Sequence, residues 1–194
     1  MYKEVFEEIS FNINVDQLKE TLQLRSNKRT TDMIDKLLKE ANNIAKPKAI
    51  YIQAPVVSRG EDFIVVDGTS FHSENLRVNT NGLEVVFPYV ITCGTEIEQW
   101  SENIENIMEK YIADGIKAII LSAGTDFVSN HIKQTFDIKE LSYSIPGSFD
   151  DWPMNEQTLL FKMIGDVTEL IGVRLTESSL MRPTKSVSGI YYEI

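Results

Sequence analysis

Few side chains in this sequence have types and spacings that do chemistry unaided. Cys93 stands just ahead of Thr95-Glu96-Ile97-Glu98, a helix-start pattern. A thiol at a helix N-terminus can be acidified and become a nucleophile, although buried, inert thiols are the commoner case. The two histidines, His72 and His131, are both distant from Cys93 in sequence. His72 reads as part of an exposed strand or loop. His131 sits late in a helical stretch, where positive charge is favoured. Dinucleotide, phosphate-loop and HExxH patterns are all missing. What remains is the stretch 177–186, with Ser178, Ser179, Thr184 and Ser186 beside Glu177, Arg182 and Lys185. Hydroxyls both donate and accept, and a linker of this length between two strands is a natural ligand-binding segment.

Composition narrows the classes. Of 194 residues, 42% are hydrophobic and 25% charged, the balance of a folded domain, and a single domain over 1–194 is expected. Nineteen Lys and Arg against 29 Asp and Glu give a net charge of −10. That balance argues against nucleic acid or an anionic membrane as the main partner, since both need a basic face. One cysteine excludes an intrachain disulfide, a Cys-ligated iron–sulfur cluster and a Cys-rich zinc site. The charged opening 2–8 is unlike a signal peptide, and apolar runs such as Ala118-Ile119-Ile120-Leu121 are far too short to span a bilayer. A cytoplasmic protein is expected.

The elements that must position these groups read as follows. Residues 1–14 suit a strand or an N-terminal arm. Val15, Leu18 and Leu22 suit a short helix capped by Asn14, and Met33, Ile34, Leu37, Leu38 and Ala41 an amphipathic helix over 31–44. Strands are expected at 49–53, limited by Pro55, at 63–66 before an Asp67-Gly68 turn, and at 83–91. Pro88 within the last suggests an edge position or a bulge. Thr95 and Glu98 form a capping box that opens a helix with Ile97, Trp100, Ile104, Ile107, Met108 and Tyr111 on its apolar side. A second helix runs over 114–136, where Ser122, Ala123 and Gly124 allow another helix to approach. Asp151 caps a third, with Pro153 in its first turn and Leu159, Leu160, Met163, Ile164 and Val167 inward. Gly172 has the place of a helix-ending glycine, and strands follow at 173–176 and 187–192.

One stretch is specific. Pro146-Gly147-Ser148-Phe149-Asp150-Asp151-Trp152-Pro153, then Glu156-Gln157, lead into Ile171-Gly172-Val173-Arg174-Leu175-Thr176-Glu177-Ser178-Ser179-Leu180-Met181-Arg182-Pro183-Thr184-Lys185-Ser186-Val187-Ser188-Gly189. This resembles the C-terminal reactivation domain of cobalamin-dependent methionine synthase. The resemblance implies an α+β fold, a curved and mostly antiparallel sheet with packed helices. It implies a shallow groove for S-adenosylmethionine. The role it implies is to present that methyl donor to a corrinoid whose cobalt has oxidised to Co(II), while a flavodoxin-like or other donor supplies one electron. Cobalamin is expected only through a partner, a corrinoid-binding methyltransferase or corrinoid protein acting in trans. This chain has no Asp-x-His-x-x-Gly, the pattern by which many proteins ligate corrinoid cobalt.

The residues that would line the groove are Tyr143, Pro146, Gly147, Ser148, Glu177, Met181, Lys185, Ser186 and Ser188. Pro146 and Gly147 would shape backbone close to the ligand, Glu177 would face its ammonium or sulfonium, and the serines would hydrogen-bond. No catalytic side chain and no metal ligand is assigned. In the family, a loop Arg-x-x-x-Gly-Tyr contacts S-adenosylmethionine. Here Gly147 is kept, but Tyr143 has the arginine position and Ser148 the tyrosine position. Neither makes the two-pronged contact of an arginine with a carboxylate, which leaves Arg182 and Lys185 as substitute cations. Two further readings stay open. One is an accessory protein on the same scaffold that binds a corrinoid protein or another small molecule, with Tyr143 stacking on a flat ring. The other is an unrelated enzyme built on Cys93 or a carboxylate.

Overall fold

The structure is a computed structural model that describes residues 2–24, 27–148 and 150–194; Phe149 of the C-terminal motif lies outside the described residues. An antiparallel sheet runs in the order β4 (Thr69–His72), β3 (Phe63–Val66), β2 (Lys48–Arg59), β5 (Val85–Thr92), β9 (Ser186–Glu193) and β6 (Leu141–Ser144). β1 (Tyr2–Phe6) also pairs with β2. The expected α+β class with a curved antiparallel sheet is what the chain adopts.

The two prolines act differently from expectation. Pro55 does not end its strand. β2 pairs with β1 up to Gln53 and with β3 from Val56, so Pro55 falls at the changeover. Its carbonyl still accepts from Asp67 N at 2.9 Å, and its missing N–H is not needed there. Pro88 lies on a central strand, not an edge. The β2–β5 register passes from Tyr51↔Tyr89 to Ala54↔Val86 without a shift, and the positions facing Pro88 are the unpaired ones. The ladder to β9 continues through Pro88↔Ile190.

Both faces of the central strands are buried, which is why they read as apolar runs without alternation. Ile50, Ile52, Val90 and Ile190 face one way and pack with Trp152 beneath α6 (Gln157–Ile164) and α7 (Val167–Ile171). Tyr51, Tyr89, Ile91 and Tyr191 face the other way, toward Val128 and Ile132 of α5 (Ile107–Phe136). A third cluster joins α5 to α1 (Val15–Thr21), α2 (Lys28–Ile44) and α4 (Thr95–Glu102) through Leu18, Ile34, Leu37, Ala41, Ile97 and Ile116. Trp152 of the motif is fully buried and donates to Glu156 Oε2 at 3.0 Å.

Several boundaries move. α2 starts at Lys28, where Asn27 accepts from Thr30 N. The single helix expected through Tyr111 breaks after Glu102, because Asn106 caps a new one by accepting from Met108 N and Glu109 N. Ile107, Met108 and Tyr111 are consequently exposed rather than buried. Gly124 meets Ile91 of β5 rather than another helix, and Ser122 is exposed. Asp151 does not cap α6. It accepts from Asn75 N, Asn75 Nδ2 and Ser73 Oγ, tying the motif to α3 (Glu74–Asn79), a helix with no counterpart among the elements expected from sequence. Gly172 does end α7, at φ 74°.

Gly189 is set by close approach. A Cβ there would lie 2.4 Å from Ser144 O and 3.0 Å from the Tyr89 hydroxyl. Gly189→Ala should therefore push β6 off β9 and destabilise the fold by about 2 kcal/mol, the usual scale of overpacking. Urea denaturation measures this; an unchanged midpoint would mean that β6 shifts freely.

Candidate functional site

The segment 183–186, which leads into β9, is anchored by one carboxylate. Glu98 was expected to reach back to its own helix start. Instead α4 begins at Gly94 without a side-chain cap, and Glu98 points into the protein. Its Oε2 accepts from Lys117 Nζ of α5 at 2.7 Å, and its Oε1 from Thr184 N at 2.9 Å and Thr184 Oγ1 at 2.8 Å. Burial pushes the Glu98 carboxyl upward, but the bonds from Lys117 and Thr184 outweigh it and hold it below the ordinary carboxylate value. Neighbouring contacts follow the same direction. Lys185 O accepts from Cys93 N, Lys185 Nζ pairs with Asp114 at 2.9 Å, and Ser186 Oγ bonds Thr92 Oγ1 and Pro183 O. The polar stretch expected as one long loop also contains a strand. β8 (Met181–Arg182) pairs with β7 (Arg174–Leu175) around a turn closed by Thr176 N to Leu180 O at 2.8 Å.

Two grooves open beside this segment. The first, about 310 Å³, is lined by Pro146, Met154, Leu180, Met181, Arg182 and Ser186 among others. Three of the nine candidate residues, Pro146, Met181 and Ser186, are therefore brought together. Gly147 lies behind Met154 at φ 88°, and its N–H donates to Trp152 O at 2.7 Å; it shapes the turn. Ser188 is buried, donating to Gln157 Oε1 at 3.1 Å, while the Gln157 amide donates to Ser179 O. Lys185 is held by Asp114. Ser148 and Glu177 are exposed and line neither groove.

The second groove, about 370 Å³, lies between α5 and the β6–β9 edge. Its walls are Tyr89, Tyr143 and Tyr191 on the sheet and Ser122, Thr125, Asp126 and Ser129 on the helix. Tyr89 and Tyr191 stack with centroids 4.1 Å apart, and Tyr143 meets Tyr191 edge-on at 6.1 Å. Burial lifts the Tyr191 phenol, and the nearby Tyr143 and Asp126 lift it further. Ile145 and Val187 line both grooves, so the two adjoin. The sequence reading placed Tyr143 at the site but missed Asp126 and the other tyrosines. The available signal was the polar stripe 122, 125, 126, 129, one face of a helix at spacings of three and four.

Cys93 is removed from the candidates. It is fully buried, and burial together with the Glu98 carboxylate pushes its thiol up to about 12. Among the described residues, no cluster of His, Cys, Asp or Glu is placed to hold a metal ion, and no helix is long and apolar enough to cross a membrane.

Known proteins resemble this chain both in its C-terminal segment and in its overall fold. Residues 148–193 match the family model of the activation domain of vitamin B12-dependent methionine synthase. The whole chain superposes on 78% of a crystal structure of the MetH reactivation domain bound to AdoHcy, with TM-score 0.69 and 14% identity. No curated protein matches the chain. The C-terminal segment is thus of the activation-domain type, and the resemblance read from its motif holds for the fold of the whole chain.

These contacts lead to two expected outcomes. Glu98→Gln leaves Lys117 buried without its counter-charge and should cost about 3 kcal/mol in urea denaturation. Glu98→Met/Lys117→Met should regain most of that loss yet leave Thr184 N unpaired, so amide exchange at Thr184 becomes faster than in the parent. In the parent, the carboxyl titrates below its unfolded value near 4.5 when folded. Its contribution is complete above that value and is lost as pH falls through the folded value. As for Cys93, iodoacetamide at neutral pH should label the native protein hardly at all and the urea-unfolded protein quickly. Rapid native labelling would restore the thiol as a candidate nucleophile.

Proposed function

We propose that the protein holds S-adenosylmethionine in the tyrosine-lined groove and presents it to an oxidised corrinoid on a separate methyltransferase or corrinoid protein. The observation that carries this reading is the groove's makeup. Tyr89, Tyr143, Tyr191 and Asp126 meet there with Val187, and Val187 and Tyr191 fall within the matched residues 148–193. Aromatic faces and a carboxylate suit a fixed positive charge such as a sulfonium. The neighbouring groove at Met154, Leu180 and Met181 adds apolar cover next to it.

The chemistry balances without a protein acid or base. One electron from a flavodoxin-like or other donor takes the partner's Co(II) to Co(I). The cobalt electron pair then forms the Co–CH3 bond as the S–CH3 bond breaks, and S-adenosylhomocysteine leaves as a neutral thioether. No proton moves, in keeping with a groove whose only charged lining residue, among the described residues, is Asp126. What the chain contributes is orientation of the methyl group and limited access for water, and proximity supplies the rate.

Calorimetric titration with S-adenosylmethionine should give a dissociation constant on the order of micromolar, and Asp126→Asn should weaken it about tenfold, the scale of one charge-assisted contact. Adding a Co(II) corrinoid methyltransferase and a reductant should then yield methylcobalamin, followed by its visible spectrum. No binding up to millimolar ligand would remove the methyl-donor role and favour an accessory protein that docks on a corrinoid protein.

A further inference from the structure

We infer that the tyrosine-lined groove selects its methyl donor by positive charge alone and takes a sulfonium lacking a carboxylate at least as well as S-adenosylmethionine. This rests on the reading that the groove holds the donor. Among the described residues, no Lys or Arg lines it, and its one charged wall residue is Asp126. Lys133, one turn past Ser129 on α5, does not line the groove, and three nearby cations have other surroundings. Lys117 is spent on Glu98 at 2.7 Å and Lys185 on Asp114 at 2.9 Å. Arg182 lines the first groove and a third between α4 and the β7–β8 ribbon.

The hydroxyls do not replace a cation. Thr125 Oγ1 already donates to Ser122 O at 2.7 Å, and the Tyr191 hydroxyl donates to Thr125 O at 3.4 Å. The other hydroxyls, those of Ser122, Ser129, Tyr89 and Tyr143, carry no charge, so a ligand carboxylate would give up its water without gaining a counter-charge and would sit near the like-charged Asp126, a net cost. The ligand's cationic centre keeps its counterparts, because Asp126 and the exposed Tyr143 ring line the groove, with the stacked, largely buried Tyr89 and Tyr191 behind them. Tyr143 is the pivotal position. It is 57% exposed on the edge strand β6, so a longer side chain fits there without disturbing the core.

The test compares S-adenosylmethionine with its decarboxylated analogue by calorimetry, on the parent and on Tyr143→Arg, with thermal melts confirming that the variant is folded. In the parent, the analogue should bind as tightly as S-adenosylmethionine or more tightly. In Tyr143→Arg, the ratio of the two constants should move about tenfold or more toward S-adenosylmethionine, since a guanidinium adds a forked carboxylate contact. A parent that prefers S-adenosylmethionine, or a ratio that Tyr143→Arg leaves unchanged, overturns the inference while the donor role stands. If neither compound binds the parent, the inference and the donor reading fall together.

Discussion

The Glu98 carboxylate is the constraint on which the site depends. It sits at the junction of α4, α5 and the segment leading into β9, and it receives three hydrogen bonds, one from an ammonium. A buried ion pair contributes little net stability, because removing two charges from water costs nearly as much as their attraction returns. Its value here is positional. Thr184 offers both its N–H and its hydroxyl to one oxygen, so the backbone at 184 has a single favourable place. From there Lys185 O meets Cys93 N, and Ser186 enters the sheet in register with Thr92. That register decides which β9 residues face α5. A slip of one residue would exchange Tyr191 for Ile190 and remove the tyrosine wall of the groove.

The sheet supplies the second requirement, a rigid floor with two distinct faces. β9 alternates Ser188, Ile190 and Tyr192 with Val187 and Tyr191, and each set is covered by different helices. Gly189 lets β6 come close enough for Tyr143 to reach Tyr191. The two grooves are then consequences of where β6 ends. Past Ser144 the chain turns at Pro146–Gly147, the turn is closed onto Trp152 O, and Ile145 and Val187 divide the space between the grooves. Trp152, buried under α6, fixes the far end of that turn.

What the sequence disclosed and what it concealed follows from this arrangement. Local signals were legible where neighbours in sequence settle the structure: Asn14 at the start of α1, Asp67-Gly68 at the turn, Gly172 at the end of α7. They misled where a distant group competes. Thr95 and Glu98 have capping-box spacing, yet Lys117 is a stronger partner for Glu98 than its own helix N–H groups. Asp151 precedes a helix, but Asn75 and Ser73 claim it from across 76 and 78 residues. Pro55 suggested a strand end and Pro88 an edge position or a bulge, because the sequence does not reveal which neighbour each missing N–H would face. The motif 146–189 identified the fold, yet most of its distinctive residues serve packing and latching. Gly147, Trp152, Gln157, Thr184 and Ser188 all make internal contacts, whereas Asp126, the charged wall of the groove, lies outside the motif on α5.

That division bears on the proposed chemistry. Alkyl transfer from a sulfonium to a metal requires no proton transfer, so a site for it has no need of a titrating side chain. The tyrosine groove fits that description. Burial holds the Tyr89 and Tyr191 phenols well above their ordinary value, which keeps them uncharged through the neutral range. The buried thiol, the chain's most reactive side-chain type, is displaced from the surface and kept protonated. What the groove presents to a ligand is therefore aromatic rings, one carboxylate and six hydroxyls, of which those of Thr125 and Tyr191 bond back to the helix. Under the proposed reading, such a surface would favour a cationic sulfonium over the neutral thioether left after methyl transfer. In the proposed reaction, loss of charge at sulfur removes the attraction of Asp126 at the moment the methyl group departs, and the departing methyl is thereby coupled to a weaker hold on the product.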